Sequence, residues 1–499
     1  MGTLENSRQA HSLRDSVAPC EKNGGAGNGE ISHGGTETRR GGVPTLRFKG
    51  FGEEWEKKRL GEIGSVVTGS TPPRSDVANW SGDFPWISAQ DFRGRHIGET
   101  VEHISDKGKS FCRLLPDNTV LVTCIASIGL NAIATVPCAT NQQINAIVNS
   151  KCDFEFLYDV ICANVGRLRQ LAGQTAVPII GKSQFENFEI PVAPSVPEQR
   201  KIGAMFRELD AVIAGREEAL GKLGQFKKAM LEKMFPHSPL LRFSALEKGL
   251  TQRNGGTEGE GGEVGAAEAF ADSPLLRSSA LKNKTQRNGG TEKMGRVPEV
   301  RFKGFDGEWK EKTFSDFATV RRGLTYSPVD CANDGVRVLR SSNIEEDRFA
   351  LHDDDVFVNH TAASIAFVRN GDILITAANG SSHLVGKHAL VSGVPDFSAV
   401  HGGFMLLASS SESEFLHAAM SAPWYRDFIA MAMMGGNGAL GNLNQDSIAG
   451  MRFMAPSSKE ERDKIGAYFR EMDALIAARR EEVGKLKDLK KALLERMFA

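Results

Sequence analysis

Two stretches of the chain space their apolar residues in steps of four and three over many turns. The first carries Ile202, Phe206, Leu209, Ile213, Leu220 and Leu223, with Met230 and Met234 continuing the phase. The second carries Ile465, Phe469, Met472, Ile476, Val483 and Leu486, followed by Leu493 and Met497. This spacing lays the apolar side chains along one stripe of a helix, and about five heptads of it predict helices of roughly 50 Å. Each stripe is interrupted once by arginine, at Arg216 and at Arg479. Those arginines are expected to ion-pair either with a docked partner or with acidic neighbours on the helices. A stripe of this length is not left in water, so either the two helices pack on each other or each lies on its own globular segment. Pro236 lacks the amide that the next helical hydrogen bond needs, and so ends the first helix.

Between these helices the pattern changes period. "NTVLVTCIASIGLNAIATV" from Asn118 and "NQQINAIV" from Asn141 read as buried strands, and "FEFLYDVICANVGRLRQLA" from Phe154 as a helix. Later, "GVRVLRSSNI" and "NGDILITAANGSSHLVGKHALV" are strand-like, and "SEFLHAAMSAPWYRDFIAMAMM" from Ser413 reads as the matching helix. Both globular segments are therefore α+β, with a shared order of elements and little shared sequence.

Self-similarity explains the arrangement. "VPTLRFKGFGEEWEKKRL" from Val43 recurs 254 residues later as "VPEVRFKGFDGEWKEKTF" from Val297. "KIGAMFRELDAVIAGREEALGKL" from Lys201 recurs 263 residues later as "KIGAYFREMDALIAARREEVGKL". The chain is thus a duplication: opening motif, variable segment and long helix, twice over. The connection, 236–296, holds its own repeat, "SPLLRFSALEKGLTQRNGGTE" and "SPLLRSSALKNKTQRNGGTE". Its Gly, Ser, Thr, Asn and charge predict a mostly disordered tether, as does the Gly-rich tail 1–42.

Composition narrows the chemistry. At 499 residues, with 61 basic and 62 acidic side chains, the chain has room for at least two cores and no global basic field. That argues against a stand-alone DNA binder, but not against a DNA-reading subunit that shares phosphate attraction with a partner. The seven cysteines form no C-x-x-C pair, so neither a disulfide framework nor a zinc site is expected. No stretch approaches the ~20 apolar residues of a membrane helix, and the N-terminal residues lack an apolar signal core, so a cytoplasmic location is expected.

The enzyme motifs fail on physical grounds. "GNGALG", Gly436 to Gly441, follows a helix rather than a strand, so it is expected to be a helix-ending loop and not a pyrophosphate cradle. "GKS" at Gly181 has Ala176 where a phosphate loop needs its first glycine. Neither Pro116-Asp117 nor Pro395-Asp396 is followed by an acid-x-lysine within its globular segment, and no N-P-P-aromatic loop for base methylation occurs. "DDD", Asp353 to Asp355, reads as a solvated loop. No catalytic residue and no metal site is expected.

The plan, together with "LGEIGSVVTGSTPPR" from Leu60, "FPWISAQDF" from Phe84, "TVLVTCIASIGLNAIA", "NQQINAI" and "PSVPEQRKI" from Pro194, resembles the specificity subunits of Type I restriction-modification systems. "VRVLRSSNI", "NGDILITAANGSSHLVGKHALV" and the helix from Glu461 carry the likeness in the second half, where "PSVPEQRKI" is weakened to "PSSKEERDKI". The resemblance implies two tandem α/β target-recognition domains, joined by two long helices in an antiparallel intramolecular coiled coil. The expected divisions are a tail 1–42, a first domain 43–196, a helix 197–235, a linker 236–296, a second domain 297–457 and a helix 458–499. It further implies a non-catalytic subunit that reads an asymmetric bipartite site in double-stranded DNA. Two methyltransferase subunits, and restriction subunits, would dock on it. S-adenosylmethionine, ATP and Mg would enter only with those partners, leaving no cofactor on this chain. Competing readings are a coiled-coil adaptor for proteins and an autonomous DNA-modifying enzyme.

Base readout needs paired donors and acceptors. In the first domain the candidates are Ser70, Thr71, Arg74, Gln90, Arg93, Asn141 and Gln142, with Trp86 expected in the core. In the second they are Arg322, Tyr326, Arg340, Ser341, Ser342, Asn343, Asn379, Ser381 and Lys387.

Overall fold

A computed structural model of the chain describes residues 17–19, 44–173, 177–236, 276–278, 297–434 and 442–498. It divides into two compact units, Met1–Glu218 with Glu481–Ala499, and Ala219–Arg480. The long helices Val196–Met234 and Lys459–Phe498 each contribute their first part to one unit and their last part to the other. No described helix is long and apolar enough to cross a membrane.

The first unit is built on a five-stranded sheet. Its order is Ser65–Thr68, Ile144–Val148, Thr119–Thr123, Asn131–Ala134, His96–Ile97. A smaller sheet sets Ala139–Thr140 parallel to Phe84–Ile87, with Glu102–Ile104 on its other side. Thr119–Thr123 is buried at every position, as its unbroken apolar run requires of a central strand. The helix Phe154–Gln170, N-capped by Asp153, packs Phe156, Leu157, Val160 and Ile161 into the core.

The second unit repeats the scheme. Ala318–Arg322, Met405–Ser410, Ile373–Thr376 and His388–Leu390 form one sheet, and Val336–Leu339 lies parallel to Ala399–His401 in another. The apolar run from Ser413, expected as one helix, is two, Ser413–Met420 and Pro423–Met434. Pro423 has no amide to donate into the preceding turn, so the ladder breaks there and restarts with proline in the first turn. The loop expected at Gly436 to Gly441 and the position Ala176 lie outside the described residues.

The duplicated segments account for each other at the helix ends. Arg47 of the first "RFKGF" is buried against Glu198 in the first turn of its long helix, Nε to Oε1 at 2.6 Å and Nη2 to Oε2 at 2.8 Å. Arg301 of the second "RFKGF" does the same with Glu461, both contacts at 2.7 Å. The weakened "KEERDKI" thus keeps the one carboxylate that matters. Trp55 and Trp309, the tryptophans of the opening motifs, are each buried beside the phenylalanine at the end of a long helix, Phe498 as its last residue and Phe235 as the residue after it. The Trp55 and Phe498 rings lie 5.7 Å apart, and those of Trp309 and Phe235 lie 5.8 Å apart. Each unit therefore takes the start of one long helix and the tip of the other into its core.

Within the first unit the two helical segments run in opposite directions. Asp210 meets Lys490 at 2.6 Å, Glu217 meets Lys487 at 2.6 Å, and Arg216 meets Glu482 at 3.4 Å. Arg216 thus pairs with an acidic neighbour on the helices. In the second unit Lys227 pairs with Asp473. Of the stripe residues, Ile202, Phe206, Leu209, Ile213, Ile465, Phe469, Met472, Ile476 and Val483 are buried, while Leu220, Leu223 and Leu486 are half-buried. Ile202 and Phe206 join the core of their own globular segment, as do Ile465, Phe469 and Met472. The stripe therefore serves domain packing at its start as well as helix packing.

Tail and linker each contribute a short strand. Val17–Pro19 pairs antiparallel with Leu46–Phe48, and Leu276–Ser278 with Val300–Phe302, in the same register. The rest of 1–42 and 237–296 lies outside the described residues.

Candidate nucleic-acid interface

In each unit, strand directions bring four loops to one end of the sheets. Phe84–Ile87 and Ala139–Thr140 are parallel neighbours, so the loops at Ser88 and Asn141 leave side by side. Ile144–Val148 is antiparallel to both Ser65–Thr68 and Thr119–Thr123, which adds the loops beginning at Gly69 and Cys124. Ala126 in the last of these holds φ at 61°, a conformation that costs an L residue about 1 kcal/mol. In the second unit Val336–Leu339 and Ala399–His401 send out the loops at Arg340 and Gly402 together. Those at Gly323 and Ala377 arrive beside them.

Two glycines permit the convergence. A Cβ on Gly69 would stand 2.1 Å from the Asn141 carbonyl oxygen, and one on Gly323 would stand 1.9 Å from that of Gly402. No side chain fits there, so the crossing of loop and strand end demands glycine. The same backbone bond recurs in both units. Cys124 N donates to Gln143 O at 2.7 Å, and Ala377 N donates to Phe404 O at 2.9 Å.

Most of the sequence-selected residues fall on these loops. Thr71 Oγ1 donates to Gln142 Oε1 at 2.5 Å, and Ser70 N donates to Thr140 O at 2.7 Å. Ser70, Thr71, Asn141 and Gln142 are therefore one cluster. Gln90 and Arg93 are exposed on the neighbouring loop, Arg93 Nε bonding Gln90 O at 3.4 Å. Arg74 is more committed than a free reader. Its guanidinium lies 3.8 Å from the Trp80 ring centroid and is paired with both oxygens of Glu102. Trp86 is buried and donates to Ser70 O at 3.1 Å, so it supports the cluster from below.

In the second unit Asn379 Nδ2 donates to Ser341 Oγ at 3.0 Å, and Ser381 N donates to Asn379 Oδ1 at 3.0 Å. Arg322, Ser342 and Ser381 are exposed; Arg340 and Lys387 are half-buried at the same end. Tyr326 packs on the small core of Leu324, Val336, Val338, Val358 and Val400.

Asn343 must be withdrawn as a base reader. It is fully buried, its amide donates to Asp355 and to Ala350 O, and its oxygen accepts from Arg340 N. Asp355, expected in a solvated loop, is the buried partner of Asn343 and Arg337. Burial alone would raise its carboxyl, but hydrogen bonds from His352 N, Asn343 and Arg337 outweigh it and hold the group below the usual carboxylate range.

Two features escaped sequence reasoning. His401, one residue before Gly402, is buried, and burial lowers its imidazole to about 4, so the ring under this end is neutral at physiological pH. Phe404 is 75% exposed between the Gly402 and Ala377 loops. A phenylalanine opening an apolar run looks like core, and only the strand pairing shows that it lies outside.

Comparison with known proteins points the same way. Residues 52–222 match the family model described as the Type I restriction modification DNA specificity domain. Over 174 residues the chain is 32% identical to the Type I restriction enzyme MjaIX specificity subunit of Methanocaldococcus jannaschii, covering 33% of this chain and 40% of that protein. Over 148 residues it is 32% identical to the Type I restriction enzyme HindI specificity subunit of Haemophilus influenzae, covering 28% of this chain and 32% of that protein. The chain thus spans less than half the length of these curated relatives. In fold it is similar to the Type-I restriction-modification system S subunit from M. genitalium. That superposition has a TM-score of 0.52 at 13% identity and covers 92% of this chain and 99% of the other.

Proposed function

We propose that this chain, which carries a Type I restriction-modification DNA specificity domain at residues 52–222, is the DNA sequence-recognition subunit of a Type I restriction-modification complex. The observation that carries the reading is the convergence of four loops at one sheet end in both units, on matching backbone bonds but with unlike side chains. Each unit is then a target-recognition domain that reads one half of an interrupted, asymmetric site. The two long helices form an antiparallel coiled coil, and methyltransferase and restriction subunits dock on it. The chain supplies recognition and no catalysis. S-adenosylmethionine, ATP and Mg belong to the partners. Support for a shared phosphate attraction comes from the net charge of -1, which leaves most of the electrostatic pull on DNA to another subunit.

Methylome sequencing with and without the gene tests this. Deletion abolishes one interrupted methylation motif, and exchange of residues 55–194 for those of another specificity subunit alters one half of it. Retention of the motif after deletion overturns the function, and simultaneous change of both halves overturns independent reading.

A further inference from the structure

We infer that Phe404 is a specificity-determining residue of the second reader, its ring contacting the 5-methyl group of a thymine in the major groove. The inference rests on the DNA-reading function proposed above. Phe404 is 75% exposed, yet its backbone is fixed: its carbonyl accepts from Ala377 N at 2.9 Å and Ala378 N at 3.1 Å, and Met405 N closes a turn onto Gly402 O at 2.8 Å. Gly402 and Gly403 bring that turn close against its neighbours. A Cβ on Gly402 would lie 3.3 Å from Val338, and one on Gly403 would lie 3.3 Å from Leu324 O. A rigid turn thus holds a bare aromatic ring in water, at the expense of the burial it would gain in a core.

The other unit shows what the position is for. Gln143 occupies the same backbone station, its carbonyl accepting from Cys124 N at 2.7 Å. There the side chain is an amide, whose Oε1 accepts from Asn141 Nδ2 at 3.3 Å and whose NH2 is a hydrogen-bond donor; here it is a phenyl ring, which offers no hydrogen bond. The groups at the same loop end, Ser341, Asn379, Arg340 and Lys387, offer hydrogen bonds to base edges and charge to phosphate, so the surroundings suit DNA rather than an apolar protein surface. Among the base edges presented in the major groove, the apolar feature is the thymine methyl.

The test uses the assembled methyltransferase complex, its mapped target duplex, and duplexes in which each thymine of the second half-site is replaced in turn by deoxyuridine, which removes only the methyl. The second half-site is assigned by exchanging residues 309–456. One replacement weakens the native complex about 3- to 10-fold. The Phe404→Ala complex binds the thymine and uridine duplexes equally at that position, while a Gln143→Ala complex keeps the difference. Unfolding of Phe404→Ala coincides with that of the native chain, because the ring supports no core. The inference is overturned if the second half-site contains no thymine, if the native complex is indifferent to every replacement, or if Phe404→Ala weakens thymine and uridine duplexes alike. Loss of discrimination between target and scrambled duplex by the native complex would instead sink the DNA-reading function itself.

Discussion

Removing the carboxylate of Glu198 tests how the duplicated motifs hold the first unit together. Arg47 and Glu198 have side chains 4% and 0% exposed, and the two bonds that Arg47 makes among the described residues both go to Glu198. Glu198→Ala leaves a guanidinium buried without a counter-charge, which costs about 3–5 kcal/mol. Against a total stability of about 5–15 kcal/mol this is a large fraction. For a unit of this size it lowers the melting temperature by roughly 6–20 °C. Glu461→Ala costs less, because Arg301 keeps Gly307 O at 2.6 Å and Asp306 O at 3.2 Å. Arg47→Met with Glu198→Leu recovers most of the loss, since an apolar pair of similar volume needs no counter-charge. The assay is urea unfolding of the full chain, followed by hydrogen exchange in Phe154–Gln170 for the first unit and Ser413–Met420 for the second. A Glu198→Ala cost below about 1 kcal/mol, or a double variant as unstable as the single changes added together, would refute the reasoning.

Acid should loosen the second unit before the first. Burial lowers His401 to about 4 and His417 to about 3 from an unfolded value near 6.5, so the unfolded chain binds protons first and stability falls as pH drops from 6.5 towards 4 and below. His401 alone accounts for about 3 kcal/mol at the end of that window, whereas the first unit has no buried histidine among its described residues; urea titrations at pH 7 and 4.5, read by exchange in each unit, check the order, and equal sensitivity of the units counts against it. Gly323→Ala should cost several kcal/mol or abolish target binding, because its Cβ would sit 1.9 Å from Gly402 O; a native melting curve with native affinity would disprove the close-approach argument. Truncation after Met497 removes Phe498, whose ring lies 5.7 Å from Trp55 and from Phe156 and 6.1 Å from Phe206. About 3–5 kcal/mol of first-unit stability goes with it, measurable by calorimetry, and a loss under about 1 kcal/mol would show that the helix tip is dispensable.

Periodicity carried the long helices, the helix from Phe154 and the buried strands, because those elements are set by which face must leave water. It failed where one residue overrides the pattern, as Pro423 does within an otherwise continuous apolar run. The opening repeats were visible as repeats but not as clamps, since nothing local in "RFKGF" says that its arginine meets a glutamate 151 residues away. Choosing polar residues at strand ends found most of the loop cluster. It also took in Asn343, whose amide satisfies its own loop, and passed over Phe404, because exposure of an apolar residue follows from register and not from composition.

Scaffold and candidate interface are separated in this chain by the kind of bond each uses. Backbone hydrogen bonds and glycine crossings fix the loop end identically in both units, so side chains at stations such as Gln143 and Phe404 can differ without disturbing the fold. Charge follows the same division. Arginines that could attract phosphate are instead spent inside the chain, Arg47 on Glu198, Arg301 on Glu461, and Arg95 on Glu155, Asp159 and Asp210. The isolated chain should therefore bind DNA weakly, and the steep salt dependence expected of a phosphate-contacting complex should appear only when a basic partner is present.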